Sequence, residues 1–406
     1  MTAKRSLLFL ICFILVLQVL VLQAFDDEKQ NKVYLLKIGD KKLREKTMAI
    51  SPRAIYSAKI GKAVSFWKMI SEMKKSRFIY VGETHNSMPM HDIQFKIIEA
   101  LSNEGKNICI GMEMFPVECQ EVLNRWSRGS LTKGDFIREI QWYIRWNFNF
   151  GYYEKIFDFA KKKKIPIYAL NVPRDIITNI RMKGWEALSE EEKNMLPKPD
   201  ISNKEHRTLI QTIFESSNLP PQMKGKGLKM AFEGLYRAQS AWDEAMAFYA
   251  MRALQIENKQ MVVLAGSGHF LYNLGINRRV FEKNQMPFTT VVCVPVGSGE
   301  ENVMVSRSLA NFIWGIQEEE KPVFPSIGLS FKRFKGLENL VIAQKPMNGV
   351  AERADFEKGD VILSVDGKNF TDINDLRIYL AQFTWGDKVT FRILRNGQEQ
   401  VVTLKF

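Results

Sequence analysis

Only four cysteines (Cys12, Cys109, Cys119 and Cys293) stand in 406 residues. They are too few and too scattered for a disulfide scaffold or a cysteine-cluster zinc site. Histidine is as scarce: with only His85, His91, His206 and His269, a metal site would need carboxylates for its other ligands. The chain has no internal repeat, no nucleophile elbow, no His-Glu-x-x-His helix and no aspartate dyad, which removes the best-marked hydrolase classes. Its 46% apolar and 25% charged residues, 25 Gly and 14 Pro exclude collagenous, low-complexity and disordered chains. Acid is the charge in short supply. Against 58 Lys and Arg stand 45 Asp and Glu, a net +13, and such surfaces meet anionic partners: phosphate, lipid head groups or carboxylates. The length predicts two or three domains.

A single long apolar run is present, residues 7–25, preceded by Lys4 and Arg5 and followed by Asp26, Asp27 and Glu28. Basic n-region, apolar h-region and Ala24 describe a secretory signal, and about 20 apolar residues also suffice for an anchoring helix. Residues 1–25 are therefore expected to be a signal peptide or N-terminal anchor. The rest is expected to be exported, periplasmic or anchored facing outward, with the membrane near the N-terminus.

Residues 26–317 read as one α/β domain with a mostly parallel sheet flanked by helices. Continuous apolar runs at 77–81, 108–112, 165–170, 261–265 and 289–295 suit strands covered on both faces. Helical spacing recurs at 91–101 and 153–164. Residues 218–229 (NLPPQMKGKGLK) predict a loop, and the charged, Pro-containing stretch around 318–324 a linker. The remainder, 325–406, is nearly neutral.

Chemistry gathers where strands end, which is where ligands bind in open α/β sheets. The first run leads into Gly82-Glu83-Thr84-His85, the second ends in Glu113, and the fourth leads into Gly266-Ser267-Gly268-His269. Two acids and two histidines can ligate a transition metal, activate water or exchange protons. His91 faces either the same cleft or the helix surface. His206, among charged neighbours, reads as solvated, and one of Asp243 and Glu244 is expected to face solvent. The basic run 161–164 reads as a solvated helix end, not a nucleic-acid site. The aromatics of 142–153 read as helical core with an exposed subset able to stack on a flat ligand.

Five collinear segments, VGETHNSMPMHDIQFKIIEAL, GMEMF, IPIYALNVPRDI, RAQSAWDEAMA and VVLAGSGHFLYNLGI, resemble the ChaN-like haem-binding uptake group of the Tiki and erythromycin-esterase superfamily. The resemblance implies a cleft carrying Glu83, His85, Glu113 and His269, with haem or a divalent transition metal as the cofactor. It also implies a tyrosine haem ligand, for which Tyr152 and Tyr153 are the candidates beside His85, His91 and His269. Other branches imply a metal-dependent peptidase or an esterase, in which Glu83, His85, Glu113 and His269 would be catalytic.

Residues 325–406 resemble a PDZ domain of bacterial type, an α+β fold. Ile327, Gly328, Leu329, Ser330 and Phe331 match its carboxylate-binding loop and following strand; residues 371–383 match the helix bordering the groove. This implies capture of a C-terminal peptide or partner protein, with the peptide added as a strand. A PDZ fold serving only as a spacer, or a groove filled from within the chain, is the alternative, and a homodimer is a further expectation.

Overall fold

The structure, a computed structural model, describes residues 32–217, 225–256 and 259–406. The expected signal or anchor and the first part of the 218–229 loop lie outside these residues. Contacts divide the chain into two compact units. Among the described residues, one comprises 32–85, Pro89–Ser127 and those of 159–318, the other Asn86–Met88, Arg128–Asp158 and Glu319–Phe406.

The main elements of the first unit run β1 (Thr47–Ile50), β2 (Ile55–Ser57), β3 (Lys62–Val64), α1 (Phe66–Met73), β4 (Phe78–Glu83), α2 (Met88–Asn103), β5 (Ile108–Pro116) and α3 (Gln120–Ser127). They continue β6 (Ile167–Asn171), α4 (Arg174–Lys183), α5 (Lys204–Ser216), α6 (Gly225–Ile256), β7 (Gln260–Gly266), α7 (Ile276–Asn284), β8 (Phe288–Val296), β9 (Val303–Ser306) and β10 (Phe312–Gln317). Eight strands form one sheet in the order β3-β2-β10-β8-β4-β7-β5-β6. From β10 to β6 every pairing is parallel; β2 and β3 add an antiparallel edge. The apolar runs are strands because both of their faces are covered: every residue of β4 and β7 is buried. Each large side chain so enclosed contributes about 1.5–3 kcal/mol.

Residues 225–229, expected in a loop, open the long helix α6 instead. Phe232, Leu235 and Tyr236 farther along α6 pack with Leu209 and Ile213 of α5, and that burial outweighs the poor helix propensity of the glycines. Where α6 crosses the sheet three of its buried residues are small, Ala247, Ala250 and Ala253, between Met246 and Leu254.

The second unit carries β11 (Phe331–Lys332), β12 (Val341–Ile342), β13 (Val361–Val365), α8 (Ile373–Leu380), β14 (Lys388–Arg395) and β15 (Gln398–Lys405). The five strands form an antiparallel sheet in chain order, with β11 at its edge. Leu376 and Leu380 of α8 are buried with Phe331, Ile342, Val389 and Phe391. Asp366-Gly367 and Asn396-Gly397 all take positive φ, as tight hairpin turns require.

Residues 128–158, read from sequence as part of the α/β domain, fold with this second unit. Nor is their aromatic stretch a continuous helix. Helix Trp142–Arg145 is short, and Gln141 before it is left-handed at φ 53°. The chain folds back around Trp142, whose indole donates to Phe148 O at 2.8 Å and packs edge-on against Phe150, Tyr153 and Phe157.

Candidate functional site

The parallel register brings the expected strand ends together. Glu83, last in β4, is paired with Gly266, last in β7, and Glu113 lies on β5, the other neighbour of β7. Gly266 has a local reason to lack a side chain. A Cβ there would lie 3.2 Å from His85 Cε1 and 3.7 Å from Glu113 Oε2, so its backbone fills the space between those two groups. Its N–H donates to Glu113 Oε2 at 2.7 Å.

Two polar networks meet around this strand pair. In the first, fully buried Glu83 takes His85 Nδ1 on one oxygen at 2.8 Å and Gln94 Nε2 on the other at 2.7 Å. Gln94 also donates to Val81 O, while its own oxygen lies 3.1 Å from His91 Nδ1. His91 Nε2 faces His85 O at 3.2 Å. His91 is thus buried against the loop that bears His85 and does not lie on the helix surface.

The second network centres on His269. Its Nδ1 lies 2.5 Å from Asp243 Oδ1 and 2.8 Å from the Gln239 amide, and its Nε2 lies 3.4 Å from Glu113 Oε1. Burial by itself would strip the ring of its proton, but the carboxylates of Glu113 and Asp243 hold it charged and push its pKa up to about 10. Burial likewise opposes charge on Glu113. His269, His85 and the Gly266 N–H overcome this and lower that carboxyl to about 2. Asp243 is held ionised, against its burial, chiefly by Arg279 and His269.

Two sequence expectations are corrected here. His206 is not solvated: it is fully buried, with Nε2 3.1 Å from Asp243 Oδ2, and burial lowers its pKa. Neither Asp243 nor Glu244 faces solvent, because Arg279 from α7 reaches both at 3.3 Å. The residues that sequence reasoning passed over, Gln94, Gln239 and Arg279, and the role of Asp243 had one usable signal. Gln239 and Asp243 stand four apart on α6, and His91 and Gln94 three apart on α2, each pair on one helix face.

The loop behind His269 is strained. Tyr272 and Asn273 both lie in the left-handed region at φ 59° and 56°, at a cost of about 1–3 kcal/mol each. The Tyr272 hydroxyl, donating to Val33 O and accepting from Leu36 N, holds the turn in place. At Gly275 a Cβ would stand 2.0 Å from His269 O.

A bare divalent ion needs three or more converging protein ligands, whereas haem iron takes one or two axial His or Tyr donors. Among the described residues no group of three or more His, Cys, Asp and Glu side chains is arranged to hold a metal ion. Glu83 is engaged by His85 and Gln94, and Glu113 by Gly266 and His269, so the four do not form a cage. For haem the fitting donor types are His85 at a strand end and tyrosines elsewhere; His269, held as an imidazolium between Asp243 and Glu113, has no lone pair to offer iron. Tyr152 and Tyr153 lie in the second unit, buried, their hydroxyls accepting from Phe324 N and Trp146 Nε1. Of the peptide-binding candidates, Leu329 and Phe331 are buried in the core of the second unit and Ile327, Gly328 and Ser330 are partly exposed.

Comparison with known proteins agrees with this architecture. The family "Haem-binding uptake, Tiki superfamily, ChaN" matches residues 69–280, and a PDZ domain matches 325–406. A probable periplasmic serine endoprotease, DegP-like, from Bartonella henselae is 28% identical over 137 residues, 32% of this chain; the chain spans only about a quarter, 26%, of that relative. ChaN of Campylobacter jejuni, solved with cofacially bound haem, superposes with a TM-score of 0.51 at 20% identity, covering 64% of this chain and 95% of that one. A variant of an erythromycin esterase gives a TM-score of 0.37 at 9% identity, over 64% of this chain and 82% of that one. With more than half its length matched by the family, the chain belongs to the ChaN-like haem-binding uptake family of the Tiki superfamily and carries a PDZ domain after it.

Proposed function

We propose that this is an exported protein of the cell envelope that binds haem through its α/β unit and a protein C-terminus through its PDZ domain. The observation that carries the haem reading is the family match over 69–280, which spans all three strand ends bearing Glu83, His85, Glu113 and His269. Export rests on the basic-then-apolar N-terminus. Membrane proximity follows from it, and the net positive charge suits an anionic surface. The PDZ reading rests on the edge position of β11, which follows the 325–331 loop.

A hydrolase reading draws on the Asp243–His269–Glu113 row. That row holds His269 as an imidazolium at neutral pH, and a charged ring donates a proton but cannot act as the general base. The chemistry favours binding.

The test is a haemin titration of the full-length protein followed by its absorption spectrum. A saturable Soret shift is expected, reduced at least ten-fold in affinity by His85→Ala or by one of Tyr152→Phe and Tyr153→Phe, the sensitive variant naming the ligand. No shift in the wild type would overturn the haem reading and send the protein to an ester and peptide substrate screen.

A further inference from the structure

We propose that residues 143–152 form an internal strap across the peptide groove of the PDZ domain, so that the groove takes a protein C-terminus only when the strap lifts. This rests on the peptide-binding reading above and adds its control.

Helix α8 presents three faces to its surroundings. Leu376 and Leu380 enter the core. On one flank Tyr379 packs on Phe370 with ring centroids 5.2 Å apart and gives its hydroxyl to Asp366 Oδ2 at 2.9 Å. Phe383, just beyond α8, stacks on Phe406 at 5.6 Å. That flank therefore faces the β13–β14 side and the chain's last residues. The opposite flank carries Asn374, Arg377 and Ala381, spaced i, i+3, i+7 on one helical stripe. With the other flank taken up by Phe370 and Phe406, we infer that this one is the helical wall of the groove beside β11, the edge strand to which a peptide would add.

Residues 138–149 bond to that stripe along its whole length. Asn374 Nδ2 donates to Arg138 O at 3.4 Å. Arg377 Nη1 donates to Tyr143 O, and to Asn147 Oδ1 at 2.8 Å. Asn149 Nδ2 donates to Ala381 O at 2.9 Å. The far end of the segment is fixed beside the carboxylate-binding loop. Tyr152 accepts from Phe324 N at 3.2 Å, and the two rings meet edge-on at 5.0 Å. Gly151 is needed there because a Cβ would fall 2.4 Å from the Phe324 ring. One end of 143–152 is thus held by the helical wall of the groove and the other by the residue preceding its loop. A peptide entering between those walls meets the strap first, and its apparent affinity falls by the fraction of molecules in which the strap has lifted.

The experiment measures, on the full-length protein, the anisotropy of a fluorescein-labelled random decapeptide pool ending in Phe with a free carboxylate. The double variant Asn149→Ala/Tyr152→Phe removes strap bonds without touching Ile327–Phe331 or α8. It is expected to bind the pool at least five-fold tighter than wild type, with C-terminally amidated pool bound by neither. Equal or weaker binding by the double variant overturns the strap. Absence of binding in both proteins would instead refute the peptide reading, and amide hydrogen exchange then decides the strap independently. Exchange at 326–332 and 143–152 should be several-fold faster in the double variant, and identical exchange there would dismiss it.

Discussion

His269 Nδ1 stands 2.5 Å from Asp243 Oδ1, while the other oxygen of Asp243 meets His206 at 3.1 Å and Arg279 at 3.3 Å. A single carboxylate from α6 therefore binds a strand-end loop, α5 and α7 into one charged cluster. Asp243→Asn keeps the shape and deletes the charge. It should cost about 3–5 kcal/mol of stability, the usual result of removing one partner of a buried ion pair. NMR titration should show the His269 pKa, about 10 in the native protein, lowered by more than one unit. An unmoved His269 titration would assign its charge to another group.

Stability should peak near pH 6.5, with different groups on each side. His269 is raised to about 10 from an unfolded value of about 6.5, so its contribution is complete below pH 6.5 and is lost as pH rises toward 10. Glu113 is lowered to about 2 and Asp243 is lowered as well, so their contributions fade as pH falls below about 4. His206, lowered by burial, erodes stability on the acid side from about pH 6.5 downward. Melting temperatures from pH 3 to 10 check this, with a fall of several degrees expected between 6.5 and 9.5. In Glu113→Gln that alkaline fall should shrink, because His269 loses one of its two carboxylates; an equal fall would rule out Glu113 as a source of the shift.

Gly275→Ala tests how tightly the His269 loop is built. The new Cβ would stand 2.0 Å from a backbone oxygen, so the loop has to shift, at an expected cost of about 3 kcal/mol or more. Urea unfolding at pH 7 measures it. A loss under 1 kcal/mol would mean that the loop relaxes freely and that His269 is loosely placed.

The sheet was legible because a buried parallel strand has to be apolar on both faces; the five runs read from sequence are β4, β5, β6, β7 and β8. The edge strands β2 and β3 were not legible. At three residues each, with Lys62 and Ala63 exposed, they exist by pairing, β2 with β10 and β3 with β2, and carry no periodicity of their own. Glu83, His85, Glu113 and His269 were visible as strand-end residues beside glycines. His206 was misread because Lys204, Glu205 and Arg207 surround it in sequence, whereas a helix turns each of them a different way and only His206 of the four faces Asp243. The placement of 128–158 was hidden for a similar reason. Its fold depends on hydrogen bonds to residues more than 200 positions later, and no local pattern encodes those.

The pairing of β2 with β10 also sets an order of events in synthesis. Ile55 meets Val64 of β3 on one side and Trp314 of β10 on the other, so the β10-facing edge of the early strand has no partner until about 250 further residues have been made, about 10–50 s at common elongation rates. Through that interval an apolar strand edge stays open on the nascent chain, and a holding chaperone would have its longest window there.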